Sequence, residues 1–220
     1  MNRKAVSHLR QVDPVMAGVI ERVGPCRFRV SDGGSHFDAV VRSIVYQQLS
    51  GSAAATIHSR LVALYGGSTP APALLLAMTD EMLRGAGLSR QKISYLRDLA
   101  ERVEAGDVPL DSIHQLDDDA VIEALTRIKG VGRWTAQMFL MFRLGRPDVL
   151  PELDLGVRKA IQLAYRTRGL PSTERVHKIG KCWAPYRTIA SWYLWESIDM
   201  KEAKPVPRQS APLARAARAK

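Results

Sequence analysis

Three carboxylates that follow a glycine-rich turn are the residues of this chain best suited to chemistry. Asp148, Glu152 and Asp154 lie in "DVLPELDLG", shortly after the stretch "IKGVGRWTAQ" that begins at Ile128. A carboxylate held in a cleft can stabilise developing positive charge and can also act as a general base towards water. Asp154 stands one helix and one loop after the turn, so both can face one cleft. From the residues alone, however, the favoured role of Asp154 is a helix N-cap, and capping is compatible with chemistry.

The turn "KGVG" at 129–132 has the composition of an anion-binding site. Its glycines allow a sharp bend with positive φ and leave room for a second backbone to approach. Gly132 precedes a helix, whose free N–H groups and dipole favour a phosphate. Between 126 and 147 there are five basic residues and no acidic one: Arg127, Lys129, Arg133, Arg143 and Arg146. These features predict binding of a nucleic-acid phosphate without regard to sequence, and the alternative is a glycine-capped helix turn with a solvated basic rim.

The elements that must position these groups are predicted to be helical almost throughout. Apolar residues from Phe37 to Val45 follow the spacing of one helix face, and "CRFRV" is the only short alternating piece. Helix-start signals stand at Asp13, Ser89, Asp117 or Asp118, Asp154 and Ser172. Short helix–loop–helix steps without clear strands predict an all-α fold.

Composition narrows the class of protein. A chain of 220 residues suggests one or two domains, and a net charge of +10 points to a polyanionic partner. Half of that charge lies in the last twenty residues, which carry six basic residues and one acidic. We predict that 205–220 form a disordered basic tail, which either touches phosphates nonspecifically or is a solubilising end.

Several other classes are disfavoured by the sequence. There is no run of eighteen apolar residues that would indicate a membrane span, and the first residues do not have the pattern of a signal peptide. Cys26 and Cys182 are the only cysteines, too few for a disulfide framework or an iron–sulfur cluster, and the five histidines show no metal-ligand spacing. We therefore expect a protein of a reducing compartment.

Four separated motifs resemble those of one protein family, in that family's order. They are "SIVYQQLSG", "LTRIKGVGRWTAQMFLMFRLG", "DVLPELDLGVRKA" and "CWAPYRTIASWYLW". Together they resemble the helix-hairpin-helix (HhH-GPD) base-excision DNA glycosylases, and most of all the compact form of the 3-methyladenine DNA glycosylase II type. The resemblance implies two helical subdomains with a DNA-binding cleft between them. One would span 37–146, with the helix-hairpin-helix at about 119–145, and the other would join 1–36 to 147–204.

The resemblance also implies an activity. It assigns Asp154 as the catalytic residue of an enzyme that flips alkylated bases of the 3-methyladenine and 7-methylguanine type out of duplex DNA and hydrolyses them off, leaving an abasic site. Relatives that also cut the strand have a lysine where this chain has Trp134, so no lyase activity is expected. No organic cofactor is implied. The alternatives are a glycosylase for deaminated or mismatched bases and a non-catalytic DNA-binding module.

Aromatic residues are expected to line the base pocket. A positively charged alkylated purine binds an electron-rich ring by cation–π attraction. The resemblance places Trp134 in the pocket and Met138 where some relatives have a tyrosine. It also matches Trp183 to a tryptophan of the family, which lines the pocket or is a core residue. Trp192 and Trp195, at helical spacing, are interpreted as core residues.

The loop "YQQLSG" matches the family's wedge, which fills the gap that a flipped base leaves in the duplex. Leu49 would insert, and Gln48 would touch the opposite strand or the orphaned base. Tyr46 is either a wall of the pocket or a core residue, and its sequence context favours the core.

The hairpin is expected to contact the DNA backbone through Lys129, Gly130, Val131, Gly132, Arg133 and Thr135. Members of the family commonly hold a sodium or potassium ion there, which by match would use the carbonyls of Ile128 and Val131. The expected partner is double-stranded DNA that contains damaged bases, bound by a monomer and with no membrane involved. The expected location is the cytoplasm, associated with the nucleoid, in a bacterium, or the nucleus in a eukaryote.

Overall fold

The computed structural model describes residues 2–202, and the regular structure in that range is entirely helical. The all-α prediction is therefore confirmed, and the predicted tail at 205–220 lies outside the described residues. No helix in this range is long and apolar enough to cross a membrane. The α-helices are α1 (Asn2–Val12), α2 (Pro14–Val23), α3 (His36–Tyr46), α4 (Gly51–Ala63), α5 (Pro72–Ala77), α6 (Asp80–Gly85), α7 (Arg90–Glu104), α8 (Asp118–Thr126), α9 (Arg133–Phe142), α10 (Leu155–Ala164), α11 (Thr173–Gly180) and α12 (Arg187–Glu202).

Side-chain caps begin the helices where the sequence predicted them. Asp13 accepts hydrogen bonds from the first free amides of α2, and Ser89, Asp117 and Ser172 do the same for α7, α8 and α11. Such caps satisfy amides that have no partner within the helix. The alternating stretch 26–30 is irregular rather than a strand, and its Phe28 is buried among the helices.

The described helices enclose two hydrophobic cores. The first core is formed by residues of α3 to α9, between Phe37 and Val149. The second is formed by α1, α2 and α10 to α12, with Phe28 and Leu150. The rings of Phe142 and Trp195 pack against both cores. The hairpin helices α8 and α9 contribute to the first core and α10 to the second, and the predicted boundaries of the two subdomains stay a prediction.

Candidate active site

Asp154 lies at the N-terminus of α10, where both of its carboxylate oxygens accept hydrogen bonds. Its Oδ1 accepts from the backbone N–H of Val157 at 2.7 Å and from Nε1 of Trp195 at 2.8 Å. Its Oδ2 accepts from Nε1 of Trp134 at 2.8 Å. An indole N–H can only donate, so the two rings fix the orientation of the carboxylate. Oδ2 carries one of these three bonds and keeps acceptor capacity for a water molecule.

The other two carboxylates are engaged in ion pairs. Asp148 accepts two hydrogen bonds from the guanidinium of Arg187, at 2.7 and 2.8 Å, and these bonds raise the pKa of the arginine. Glu152 is buried and accepts from Arg133 and from Gln137. Burial raises the pKa of Glu152, but those hydrogen bonds outweigh it and hold the pKa below its ordinary value. Both groups therefore join parts of the fold, and the third carboxylate is the candidate for chemistry.

The helical spacing of Trp195 predicts a core residue, and the structure shows that Trp195 also binds Asp154. Its ring stacks on Phe142, with centroids 5.9 Å apart and planes at 27°, while its N–H binds Asp154. Gly156 lies directly beneath the ring: a Cβ added there would come within 2.8 Å of Trp195 Cδ1 and 3.0 Å of Asp154 Oδ1. The glycine two residues after the capping Asp154 is the feature of the sequence that could have indicated a close side-chain contact at this turn.

The prediction that Trp183 lines the pocket is wrong. Its side chain is 0% exposed and belongs to the second core. Its Nε1 donates to Oδ2 of Asp13 at 2.8 Å, and the hydroxyl of Tyr165 donates to the same oxygen. A buried indole needs a hydrogen-bond partner, and here the partner is the N-cap of α2 rather than the carboxylate of α10.

Two adjoining cavities open beside Met138, and one of them is also lined by Trp134. The Trp134 cavity, of about 630 Å³, is also lined by Gln48, Lys92 and Tyr95. The Phe142 cavity, of about 610 Å³, runs on towards Phe142. The residues common to both are Ser43, Tyr46, Thr135 and Met138. Three of the predicted pocket residues, Trp134, Met138 and Tyr46, are thus brought together.

The two aromatic rings of this region differ in what they can offer a ligand. Trp134 is 44% exposed, and with its N–H held by Asp154 its ring lines the cavity. Tyr46 is partly buried against the first core, and the guanidinium carbon of Arg42 lies 4.3 Å from its ring centroid. One face of Tyr46 is therefore already covered by a cation.

Side chains of α7 hold the hairpin between α8 and α9 in place. Gly130 has φ of +79°, and a Cβ there would overlap the ring of Tyr95. The buried carboxylate of Asp98 accepts from the backbone N–H of Lys129 at 2.8 Å and from Arg102 at 2.9 Å. Gly132, by contrast, caps α9 without a side-chain bond, and a Cβ there would meet nothing within 4 Å. The amides at the start of α9 are left open to an incoming group.

Each of the five basic residues around the hairpin has a partner, while the side chains of Arg127, Lys129 and Arg133 stay 50%, 63% and 48% exposed. Lys129 pairs with Asp98, Arg127 with Glu123, Arg133 with Glu152, Arg146 with Asp118, and Arg143 donates to the backbone carbonyls of Ser31, Gly33 and Gly34. These side chains hold elements together. Arg133, predicted to contact DNA, pairs with Glu152, and Thr135, predicted likewise, lines the two cavities.

The predicted wedge lies in the loop 47–50 between α3 and α4. Leu49 is 39% exposed, so its side chain is accessible for the predicted insertion. Gln48 has φ of +57° and lines the Trp134 cavity. At the predicted ion site, the carbonyl of Ile128 already accepts the N–H of Val131 at 3.1 Å. The ion itself stays a prediction.

Comparison with known proteins places the chain in a family. The sequence profile of the HhH-GPD superfamily base excision DNA repair proteins matches residues 41–185. DNA-3-methyladenine glycosylase 1 of Schizosaccharomyces pombe is 34% identical over 207 residues, covering 92% of this chain and 91% of that protein.

Solved structures give the same result for the fold. The Schizosaccharomyces pombe 3-methyladenine DNA glycosylase in complex with abasic DNA matches with a TM-score of 0.76 and 34% identity, over 88% of this chain and 95% of that one. A DNA-3-methyladenine glycosidase from Bacillus halodurans matches with a TM-score of 0.80 and 38% identity, over 90% and 91%. The chain therefore belongs to the HhH-GPD superfamily of base excision DNA repair proteins.

Proposed function

We propose that the protein is a monofunctional DNA glycosylase that excises alkylated bases of the 3-methyladenine and 7-methylguanine type from double-stranded DNA. The observation that carries the proposal is the carboxylate of Asp154, held by two indole N–H groups beside an aromatic cavity. The relatives are named as 3-methyladenine glycosylases, which supports the same substrate class. A protein that only bound phosphates would need neither the carboxylate nor the rings.

Asp154 would act on the sugar. As the bond between C1′ and the base nitrogen breaks, its electron pair leaves with the base and positive charge develops at C1′. A carboxylate nearby stabilises that charge, and Oδ2, with its spare acceptor capacity, orients a water molecule and takes its proton as the water attacks C1′. The products are the free base and an abasic site.

Trp134 would bind the flipped base. Its ring is exposed to the cavity, and an alkylated purine carries positive charge, so cation–π attraction of roughly 0.5–2 kcal/mol favours the damaged base over a neutral one. Met138 and the uncovered face of Tyr46 would complete the pocket. The cation of Arg42 on the other face of Tyr46 makes that ring the weaker of the two for a cationic base.

The open amides of Gly132 and the start of α9 would bind a backbone phosphate, next to Lys129 and Val131. Leu49 would fill the gap left by the base, with Gln48 beside it. Strand cleavage through a Schiff base is disfavoured because the lysine that lines the Trp134 cavity, Lys92, donates to the carbonyls of Val45 and Gln47.

The test is base release from duplexes that each carry one defined lesion, with the wild type beside Asp154→Asn. We expect release of 3-methyladenine or 7-methylguanine, reduced by about 10²-fold or more in the variant, with DNA binding retained. Asp111→Asn is the matched control, because Asp111 is an exposed loop carboxylate. Its activity should equal that of the wild type.

Two results would replace the proposal. Release of uracil or hypoxanthine alone would indicate a glycosylase for deaminated bases. Equal duplex binding by wild type and Asp154→Asn, with no base released by either, would indicate a DNA-binding module in which Asp154 is only the N-cap of α10.

A further inference from the structure

The loop 47–50 has a backbone conformation that needs support. Gln48 and Arg166 are the two non-glycine residues with positive φ among residues 2–202. An L-residue with a side chain is disfavoured in this region, and such conformations persist where the surroundings determine them. The loop's own backbone bonds are long: Gln47 N–H to Ile44 and Leu49 N–H to Tyr46, both at 3.4 Å. The support must come from elsewhere.

Two side chains supply it. Nε2 of Gln47 donates to the carbonyl of Gly130 at 2.8 Å, across 83 residues of sequence. Nζ of Lys92, on α7, donates to the carbonyls of Val45 at 2.5 Å and Gln47 at 2.9 Å, and so caps the C-terminal end of α3 with a positive charge. The loop is thus tied to the hairpin on one side and to α7 on the other.

The hairpin to which Gln47 binds is itself held in place. Gly130 is held against Tyr95, and the neighbouring Lys129 amide is bound by the buried carboxylate of Asp98. The carbonyl that Gln47 contacts lies two residues before Gly132, where the amides of α9 begin. The position of Leu49 is therefore set relative to the open end of the hairpin.

We infer that Gln47 and Lys92 are positioning residues, which hold the loop 47–50 at a fixed place relative to the hairpin so that Leu49 meets the duplex beside the bound phosphate. The inference rests on the proposed function. A preformed loop avoids ordering itself at the moment of insertion. Both side chains also line the Trp134 cavity. A role through Leu49 matters for a lesion that must be flipped, whereas a contact with the bound base would matter for every lesion.

The experiment compares Gln47→Leu, which is similar in size but cannot donate, with the wild type on two substrates. In the first, the lesion is paired within a duplex; in the second, it lies in an unpaired bubble with duplex flanks. Flipping is costly for the first and cheap for the second. With one hydrogen bond lost, we expect single-turnover release to fall roughly 2- to 10-fold on the paired lesion and to stay within about 2-fold of the wild type in the bubble.

A 2-aminopurine placed next to the lesion reports unstacking directly, and its fluorescence rise on binding should be smaller for Gln47→Leu. Lys92→Met should show the same pattern, and Gln115→Leu, at an exposed glutamine far along the chain, should show none of it. Thermal unfolding of each variant identifies any that fail to fold.

An equal loss on both substrates, or no loss on either, would overturn the inference. Failure of the proposed function looks different, because the wild type would then release no base from either substrate. In that case the 2-aminopurine signal still decides: an unchanged fluorescence rise in Gln47→Leu would overturn the positioning role.

Discussion

Replacing Gly156 with alanine should separate catalysis from folding. Gly156 lies in the first turn of α10 with an ordinary helical φ, so alanine meets no backbone strain and gains up to about 1 kcal/mol in helix propensity. The added Cβ would nevertheless lie 2.8 Å from Cδ1 and 3.0 Å from Nε1 of Trp195, and 3.0 Å from Oδ1 of Asp154. Because Trp195 is stacked on Phe142, either the indole or the carboxylate must shift.

Either shift weakens the 2.8 Å bond between Trp195 and Asp154. A hydrogen bond to a charged group contributes about 1.5–3 kcal/mol. If that contribution acts in the transition state, its loss lowers the rate of base release by roughly 10- to 150-fold. The propensity gain offsets part of the steric cost in the folded state. We therefore expect a large fall in single-turnover rate with a small change in melting temperature.

Gly85→Ala is the matched control, because Gly85 is also helical and a Cβ there meets nothing within 4 Å. Trp195→Phe removes the N–H and keeps a ring against Phe142, so it should reproduce the rate loss of Gly156→Ala. The reasoning is refuted if both variants release base within about 2-fold of the wild type, because the loss of a bond of that strength should lower the rate of base release.

The remaining predictions concern the hairpin and Glu152. Gly130→Ala should lower the free energy of unfolding by about 1–3 kcal/mol in denaturant titration, because φ is +79° and the Cβ overlaps Tyr95. Gly132→Ala should leave it within about 0.5 kcal/mol and weaken DNA binding instead. The pKa of Glu152 is lowered on folding from 4.5, so its ionised form stabilises the protein above that pH. The stability difference between wild type and Glu152→Gln should shrink as pH falls through the lower folded-state pKa.

The helices could be predicted because their causes are local. Asp13, Ser89 and Ser172 each satisfy amides within three residues, and the apolar spacing of α3 follows its own turn. The hairpin could be located for the same reason, since glycines and caps mark the ends of elements, whereas the predicted wedge loop was located by its resemblance to the family's motif.

The assignment of tryptophans to carboxylates could not be predicted in this way. Trp183 and Trp195 lie in one motif, yet Trp183 binds Asp13, 170 residues away, and Trp195 binds Asp154, 41 residues away. Nothing in their spacing distinguishes a buried indole of the second core from one at the junction. Trp183 is buried in the second core and Trp195 packs against both cores, and this difference is a property of the assembled fold.

The partners of the basic residues around the hairpin could not be predicted for a related reason. A run of basic residues without acidic ones predicts a phosphate-binding surface, and the fold adds acidic partners for Arg133 and Arg146 that are distant in sequence. In the backbone of the hairpin, the two glycines, alike in sequence, differ in role. The fold requires a glycine at 130, because φ is positive there and a Cβ would overlap Tyr95, whereas Gly132 has open space around it. Because an added Cβ at Gly132 meets nothing in the fold and would face a group that approaches the start of α9, Gly132→Ala tests DNA binding without testing the fold.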